Sequence, residues 1–216
     1  MKGHSERVPR KNMRQFCGRP LFHWIMDRLV ECRHITEIII NTDSEELAAN
    51  AEEHFAVTIH MRPDHLLTIT SDEAYQIMAH DLTLTDGEYF LQTHSTTPLI
   101  KSVTLDTAIE SYFAQQEHDS LLSVTEVQHR YYWPDGRAVN HDPDALIRTQ
   151  ELPPLLVENS CIYIFSREVF TTRKNRIGYN PLLYPVNPYE AVDIDEMIDF
   201  DIAEYLMKKQ LEGQEN

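Results

Sequence analysis

No apolar run in the 216-residue chain approaches the roughly 18 residues of a membrane span, so the sequence contains no transmembrane helix and no membrane partner is expected. No apolar stretch follows the early cations Lys2, Arg7 and Arg10 either, and the start does not read as a secretory signal. Cysteine is scarce, and Cys17, Cys32 and Cys161 lie far apart with no CxxC, which points to free thiols in a reducing, cytoplasmic setting. The 11 histidines are scattered, the nearest pair being His60 and His65, so no zinc site is expected. A phosphate loop of the GxxxxGK type followed by Ser or Thr is absent, which excludes ATPases of that class. Internal repeats and Gly- or Ser-rich linkers are absent too, and residues 1–216 read as one domain.

Cations are also few, at 19 Lys and Arg against 35 Asp and Glu, and the net charge of −16 argues against nucleic acid as a partner. The distribution is uneven. Residues 1–20 hold Lys2, Arg7, Arg10, Lys11, Arg14 and Arg19 against Glu6 alone, a local balance of +5 that leaves −21 on the rest. A basic segment on an acidic chain suggests a local anion site, because a small polyanion needs positive charge only where it docks. A solvated basic tail is the plainer alternative.

Hydrophobic periodicity predicts a helix over 20–33, with Leu21, Trp24, Ile25, Leu29 and Cys32 on one face and Pro20 near the first turn. The β-branched run 37–42 predicts a strand buried on both faces, and Ser44 caps a helix running to His54. The alternation continues with strand 56–61, helix 71–83 capped by Ser71 or Asp72, strand 88–93, helix 101–115 and strand 120–127. From 128 to 158 the pattern breaks into aromatics, prolines and charges, as in a lid or an interaction arm. Strand 159–165, a helical turn from Ser166, strand 182–186 and a last helix from Glu196 to about Leu211 complete the series. Such βαβ alternation implies an α/β fold with a mainly parallel sheet between helices and a ligand at the strand C-terminal ends. No apolar strand precedes Gly3, so either the sheet lacks its central strand or the sequence is a shortened version.

Within residues 2–12 (KGHSERVPRKN), backbone N–H groups around Gly3 and Ser5 can bind phosphate oxygens while Arg7, Arg10 and Lys11 neutralise a departing pyrophosphate. The stretch KGHSERVPRKNMRQFCGRPL resembles the opening signature of the acylneuraminate cytidylyltransferase family. NTDSEE (41–46), LQTHSTTPL (91–99), ENSCIYIF (158–165) and VDIDEMIDFDIAE (192–204) resemble its later motifs, in the family's order. RTQELPP (148–154) is similar to a further family stretch.

The resemblance implies a three-layer fold of the nucleotide-diphospho-sugar transferase type, a homodimer, and transfer of CMP from CTP to a nine-carbon 2-keto sugar acid with release of pyrophosphate. It further implies that Lys2, Gly3, Ser5, Arg7, Lys11 and Asn12 hold the nucleotide with Ser71, and that Gln92 and Asn159 meet the sugar acid. Arg130 or Arg148 would bind the substrate carboxylate. Arg7, Lys11 and Asp195 would be the catalytic groups, and Asp193 and Asp195 the ligands of Mg2+. Alternate residues of an extended segment point the same way, so this DxD pair can share a hard cation with phosphate oxygens; the plainer reading has Asp195 capping the last helix.

In the same family, 128–158 forms a dimerisation arm, with Tyr131, Tyr132 and Trp133 as anchors or as local core. The chain departs from the pattern at Lys2, Glu6, Val157 and Ser160. Two alternatives remain: a cytidylyltransferase for another keto sugar acid, and a catalytically silent relative that binds nucleotide.

Overall fold

The computed structural model describes residues 1–5, 7–70 and 73–214. A 3-10 turn at Lys11–Met13 leads into a small antiparallel ribbon of β1 (Gln15–Phe16) and β2 (Arg19–Pro20), turned through Cys17 and Gly18 at positive φ. The φ of 85° at Gly18 is one that a residue without Cβ adopts at no steric cost. Helix α1 (Leu21–Glu31) follows, with Pro20 at its N-cap, beside the first turn. Its face of Leu21, Phe22, Trp24, Ile25 and Met26 is buried.

Beyond α1 come β3 (Ile39–Thr42), α2 (Glu45–His54), β4 (Thr58–Met61), α3 (Tyr75–Thr83), β5 (Tyr89–Gln92), α4 (Ser102–Ala114) and β6 (Ser120–Val127). Then β7 (Leu155–Ser166), α5 (Arg167–Arg173), β8 (Pro181–Pro185) and α6 (Met197–Gln214) close the chain. The Ser44 hydroxyl accepts from the Leu47 N–H at 3.3 Å and caps α2; the expected cap of α3 at Ser71 or Asp72 lies outside the described residues.

The strands form a parallel β3–β4 pair and a four-stranded sheet in the order β5-β7-β6-β8. β6 and β8 are parallel, whereas β7 runs antiparallel to both β5 and β6. The mainly parallel sheet is therefore corrected to a mixed one. β7 returns from an excursion that contains no crossover helix, and so pairs with β6 as a hairpin does. An apolar run such as Cys161–Phe165 reads alike in either orientation. Leu155 to Glu158, expected to be irregular, already belong to β7 and pair with Val127 to Val124.

Alternate residues of this sheet feed two cores. Leu121, Ile162 and Ile164 pack with α1, α2 and α4, and Leu122, Tyr163 and Phe165 pack with α3 and α5. The result is helix, sheet, helix. Between β3 and β5, which share no ladder, lies a cavity of about 810 Å3 lined by Ile39, Ile40, Leu91, Gln92, Met26 and Met78. Among the described residues no strand occupies it.

Leu121 is fully buried between these elements and Leu146 is 97% exposed. Leu121→Ala is expected to cost about 2–5 kcal/mol and Leu146→Ala less than about 0.5 kcal/mol, measured by denaturant unfolding.

Candidate functional site

The site begins with an apolar contact. Val8 and Ile194, both fully buried, sit in one cluster with Phe16, Leu21, Trp24 and Phe200. Because charged residues flank each of them, burying the two side chains brings the basic segment onto the DID segment. Arg7 Nη2 lies 2.8 Å from Asp195 Oδ1, and Nη1 lies 3.6 Å from Glu196. Lys11 Nζ donates to the Ile194 carbonyl at 2.5 Å and stands 3.8 Å from Asp195 Oδ1; with its side chain 13% exposed, it is held well inside.

The rest of the first segment is fixed by short-range geometry. The Gly3 N–H donates to Asp43 Oδ1 at 2.6 Å, and a Cβ at Gly3 would stand 2.6 Å from that of Ser44, so only glycine fits. That N–H is thereby used within the protein. Asn12 Nδ2 donates to the Lys2 carbonyl at 2.8 Å while its Oδ1 accepts from Ser95 at 2.6 Å. Asn12 thus ties the segment to the loop after β5. The Lys2 side chain is exposed, and Ser5 is half-buried with no hydrogen-bond partner among the described residues. Arg10 pairs with Glu46 on α2 instead of joining the site, and Ser71 and Glu6 lie outside the described residues.

Asp193 and Asp195 differ sharply. The amides of Asp195 and Glu196 both donate to Asp199 Oδ2, at 3.1 and 2.7 Å, so Asp199 in the first turn of α6 reaches back to the residues before the helix while the Asp195 carboxylate faces Arg7. Asp193 is more enclosed: burial pushes its carboxyl upward, the charge of Asp195 adds to this, and Thr96 and Lys11 oppose it. Its Oδ1 is buried without a hydrogen-bond partner. An orphaned carboxylate oxygen beside a second carboxylate suits a hard cation. Among the described residues no three potential ligands cluster, so such an ion would draw its remaining oxygens from phosphate and water.

The loop after β5 joins this pair to the cavity. The Ile194 N–H donates to the Thr96 carbonyl at 2.9 Å, and Gln92, His94 and Ser95 line the cavity. Gln92 Oε1 accepts from Arg176 Nη1 at 2.8 Å, and the Arg176 guanidinium lies 3.4 Å from the centre of the Tyr163 ring. The Tyr163 hydroxyl reaches Glu158 and, at 3.0 Å, Ser160, which has φ 58°. Asn159 spends its amide within the sheet, accepting from Ser123 at 2.5 Å and from the Cys161 N–H at 3.2 Å and donating to Thr125 at 3.0 Å. Arg130 and Arg148 are exposed on the 128–154 excursion, where Arg130 donates to the Ile147 carbonyl.

Two members of this cluster escaped the sequence reading. His94 lies inside a motif that was read for Gln92, and Arg176 belongs to no motif. A histidine or arginine with no spacing partner gives no signal of its own; proximity reveals both.

The sequence pattern of the cytidylyltransferase family matches residues 1–214. The chain is 27% identical to post-translational flagellin modification protein B of Campylobacter coli, over 96% of this chain and 92% of that protein. It is 26% identical to CMP-N,N'-diacetyllegionaminic acid synthase of Legionella pneumophila, over 94% and 92% respectively. Its match to N-acylneuraminate cytidylyltransferase A of Danio rerio, at 25% identity, takes in 94% of this chain but only 48% of the relative, so the chain spans about half that length. Among solved structures, CMP:2-keto-3-deoxy-manno-octonic acid synthetase complexed with CTP shares the fold with a TM-score of 0.72 at 12% identity, covering 97% of this chain and 96% of that one.

Burial first, then the charges of Arg176 and Lys11, hold the His94 imidazole down to about 4. Between pH 6.5 and 4 the unfolded chain takes up a proton that the folded chain excludes, so stability is lost as pH falls, on the order of 3 kcal/mol across the window. The thermal midpoint is expected to drop more steeply over this range in the parent chain than in His94→Asn. Equal slopes would contradict the assignment.

Proposed function

The chain belongs to the cytidylyltransferase family, and from that premise we propose that it joins CMP from CTP to a nine-carbon 2-keto sugar acid of the sialic acid type. The observation that carries this reading is the convergence of Arg7 and Lys11 on Asp195, next to the orphaned oxygen of Asp193. Relatives whose names refer to legionaminic and acylneuraminic acids support the nine-carbon class.

In this reaction a hydroxyl oxygen of the sugar acid bonds to the α-phosphorus of CTP as the bond to pyrophosphate breaks. The protein's task is positioning and charge neutralisation. Arg7 and Lys11 bind the phosphates and stabilise charge on the departing pyrophosphate. Lys2, Gly3, Ser5 and Asn12 shape the phosphate side, and Gln92 with Asn159 shapes the sugar side. Asp193 and Asp195 hold magnesium, which when bound neutralises phosphate charge. Asp195 also orients the attacking hydroxyl. Arg7, about half exposed now, exchanges its carboxylate partner for phosphate oxygens when nucleotide enters.

The excursion between β6 and β7 is the dimerisation arm. Tyr132 and Trp133 are half exposed at a hairpin closed by the Tyr132 to Ala138 bridge, and Leu156 and Val157 add exposed apolar surface. A second copy of the chain covers these residues. Trp133→Asp is expected to shift the protein from dimer to monomer by analytical ultracentrifugation; a monomeric parent chain would refute the dimer.

The activity is tested by pyrophosphate release from CTP and magnesium with sialic, legionaminic, pseudaminic and eight-carbon keto acids offered in parallel. Release with a nine-carbon acid, reduced about 100-fold or more in Asp195→Ala, is expected. Release with the eight-carbon acid alone would change the substrate class. Binding of CTP without release would mark the chain as catalytically silent.

A further inference from the structure

We infer that the outer face of α6 packs antiparallel against α6 of a second copy of the chain, about a two-fold axis and in a contact separate from the arm. A surface helix ordinarily carries one apolar stripe, turned toward the core. α6 carries two. Phe200, Ala203 and Met207 are buried in the cluster that holds Ile194 and Val8. On the opposite side of the helix Ile198, Ile202 and Tyr205, again at helical spacing, are 62%, 46% and 60% exposed. Val30 on α1 and Val103 on α4 are exposed singly, as apolar residues of a protein surface commonly are, whereas an aligned stripe of three marks a contact.

Charge selects the occupant. Residues 195–201 hold Asp195, Glu196, Asp199 and Asp201 with no cation, whereas 206–211 hold Lys208 and Lys209 with no acid. A parallel neighbour would set acid on acid, and a partner of uniform charge would match only half of the face. An antiparallel copy sets the acidic half of each helix against the basic half of the other, so the face is complementary to itself, as a two-fold contact requires. With Ile202 of each copy opposite Tyr205 of the other, Ile198 falls level with the second copy's Lys209. Asp201 then lies within one turn of the second copy's Lys208, on the same flank of the helix pair. Both Asp201 and Lys208 are exposed. Beside the stripe, Leu206 and Lys209 border a groove of about 370 Å3 together with Leu99, Lys101, Tyr189 and Glu190, and Ile198 of the second copy is placed to enter it.

The test is sedimentation equilibrium of the parent chain, Ile202→Asp, Trp133→Asp and the variant carrying both. With the α6 contact and the arm both in use, the parent is a tetramer, each single variant a dimer and the combined variant a monomer. Without the arm contact the parent is a dimer, Trp133→Asp leaves it so and Ile202→Asp makes it a monomer. In either case Ile202→Asp halves the mass, so failure of the α6 contact and failure of the arm are read separately. Asp201→Lys and Lys208→Asp are each expected to weaken self-association about tenfold, and the exchange of both charges to restore it to within about threefold, a rescue that damage to the fold would not produce. A mass unchanged by Ile202→Asp would overturn the inference and leave the stripe to a partner of another kind. Loss in the single charge variants that persists in the exchange would overturn the antiparallel arrangement.

Discussion

The burial of Val8 against Ile194 is the constraint on which the site depends. A surface ion pair such as Arg7 with Asp195 contributes about 0–1 kcal/mol and could not by itself hold two segments 188 residues apart. Two fully buried aliphatic side chains contribute more, at about 1.5–3 kcal/mol each, and they act without direction. The charges are therefore carried into place by the apolar residues between them: Arg7 and Lys11 flank Val8, and Asp193 and Asp195 flank Ile194. The same cluster reaches Phe200 and Met207 on α6 and Leu21 and Trp24 on α1, so the phosphate side of the site is anchored to two helices.

An arrangement of this kind reconciles an acidic protein with an anionic substrate. The net charge of −16 lies elsewhere, while Lys2, Arg62, Lys174 and Arg176 line the cavity and Lys11 stands beside it. The acids nearby are already occupied: Asp81 accepts from Asn41 and His60, and Glu37 from Thr58. Among the described residues the Asp193 oxygen is left without a partner at the phosphate end, while Lys2 and Lys174 bring positive charge to the cavity beside Arg176.

Much of the fold was legible because it follows from periodicity. The helical spacing of Leu21, Trp24 and Ile25, the cap at Ser44 and the apolar runs of β3 and β6 each fix a local element within a few residues. The orientation of β7 was not legible, since Ile162 to Phe165 would be buried alike beside a parallel or an antiparallel neighbour. The same limit applies to the site. Residues such as Arg7, Lys11, Asp193 and Asp195 were reached through motifs resembling a family's, their spacing alone being a weak signal, whereas Arg176 meets Gln92 across 84 positions and does so only because α5 and its following loop return over β7. That Asp199 and not Asp195 bonds the amides at the start of α6 was likewise a choice between two carboxylates that one helix start leaves open.

The most direct test of the central claim, that the basic segment and the DID segment form one site for a nucleotide and its cation, is the coupling between CTP and a divalent ion. Manganese can be titrated by electron paramagnetic resonance with and without CTP, in the parent chain and in Asp193→Asn. The account predicts that CTP tightens manganese binding at least tenfold in the parent chain and that this coupling disappears in the variant. Equal coupling in both chains, or none in the parent, would contradict it.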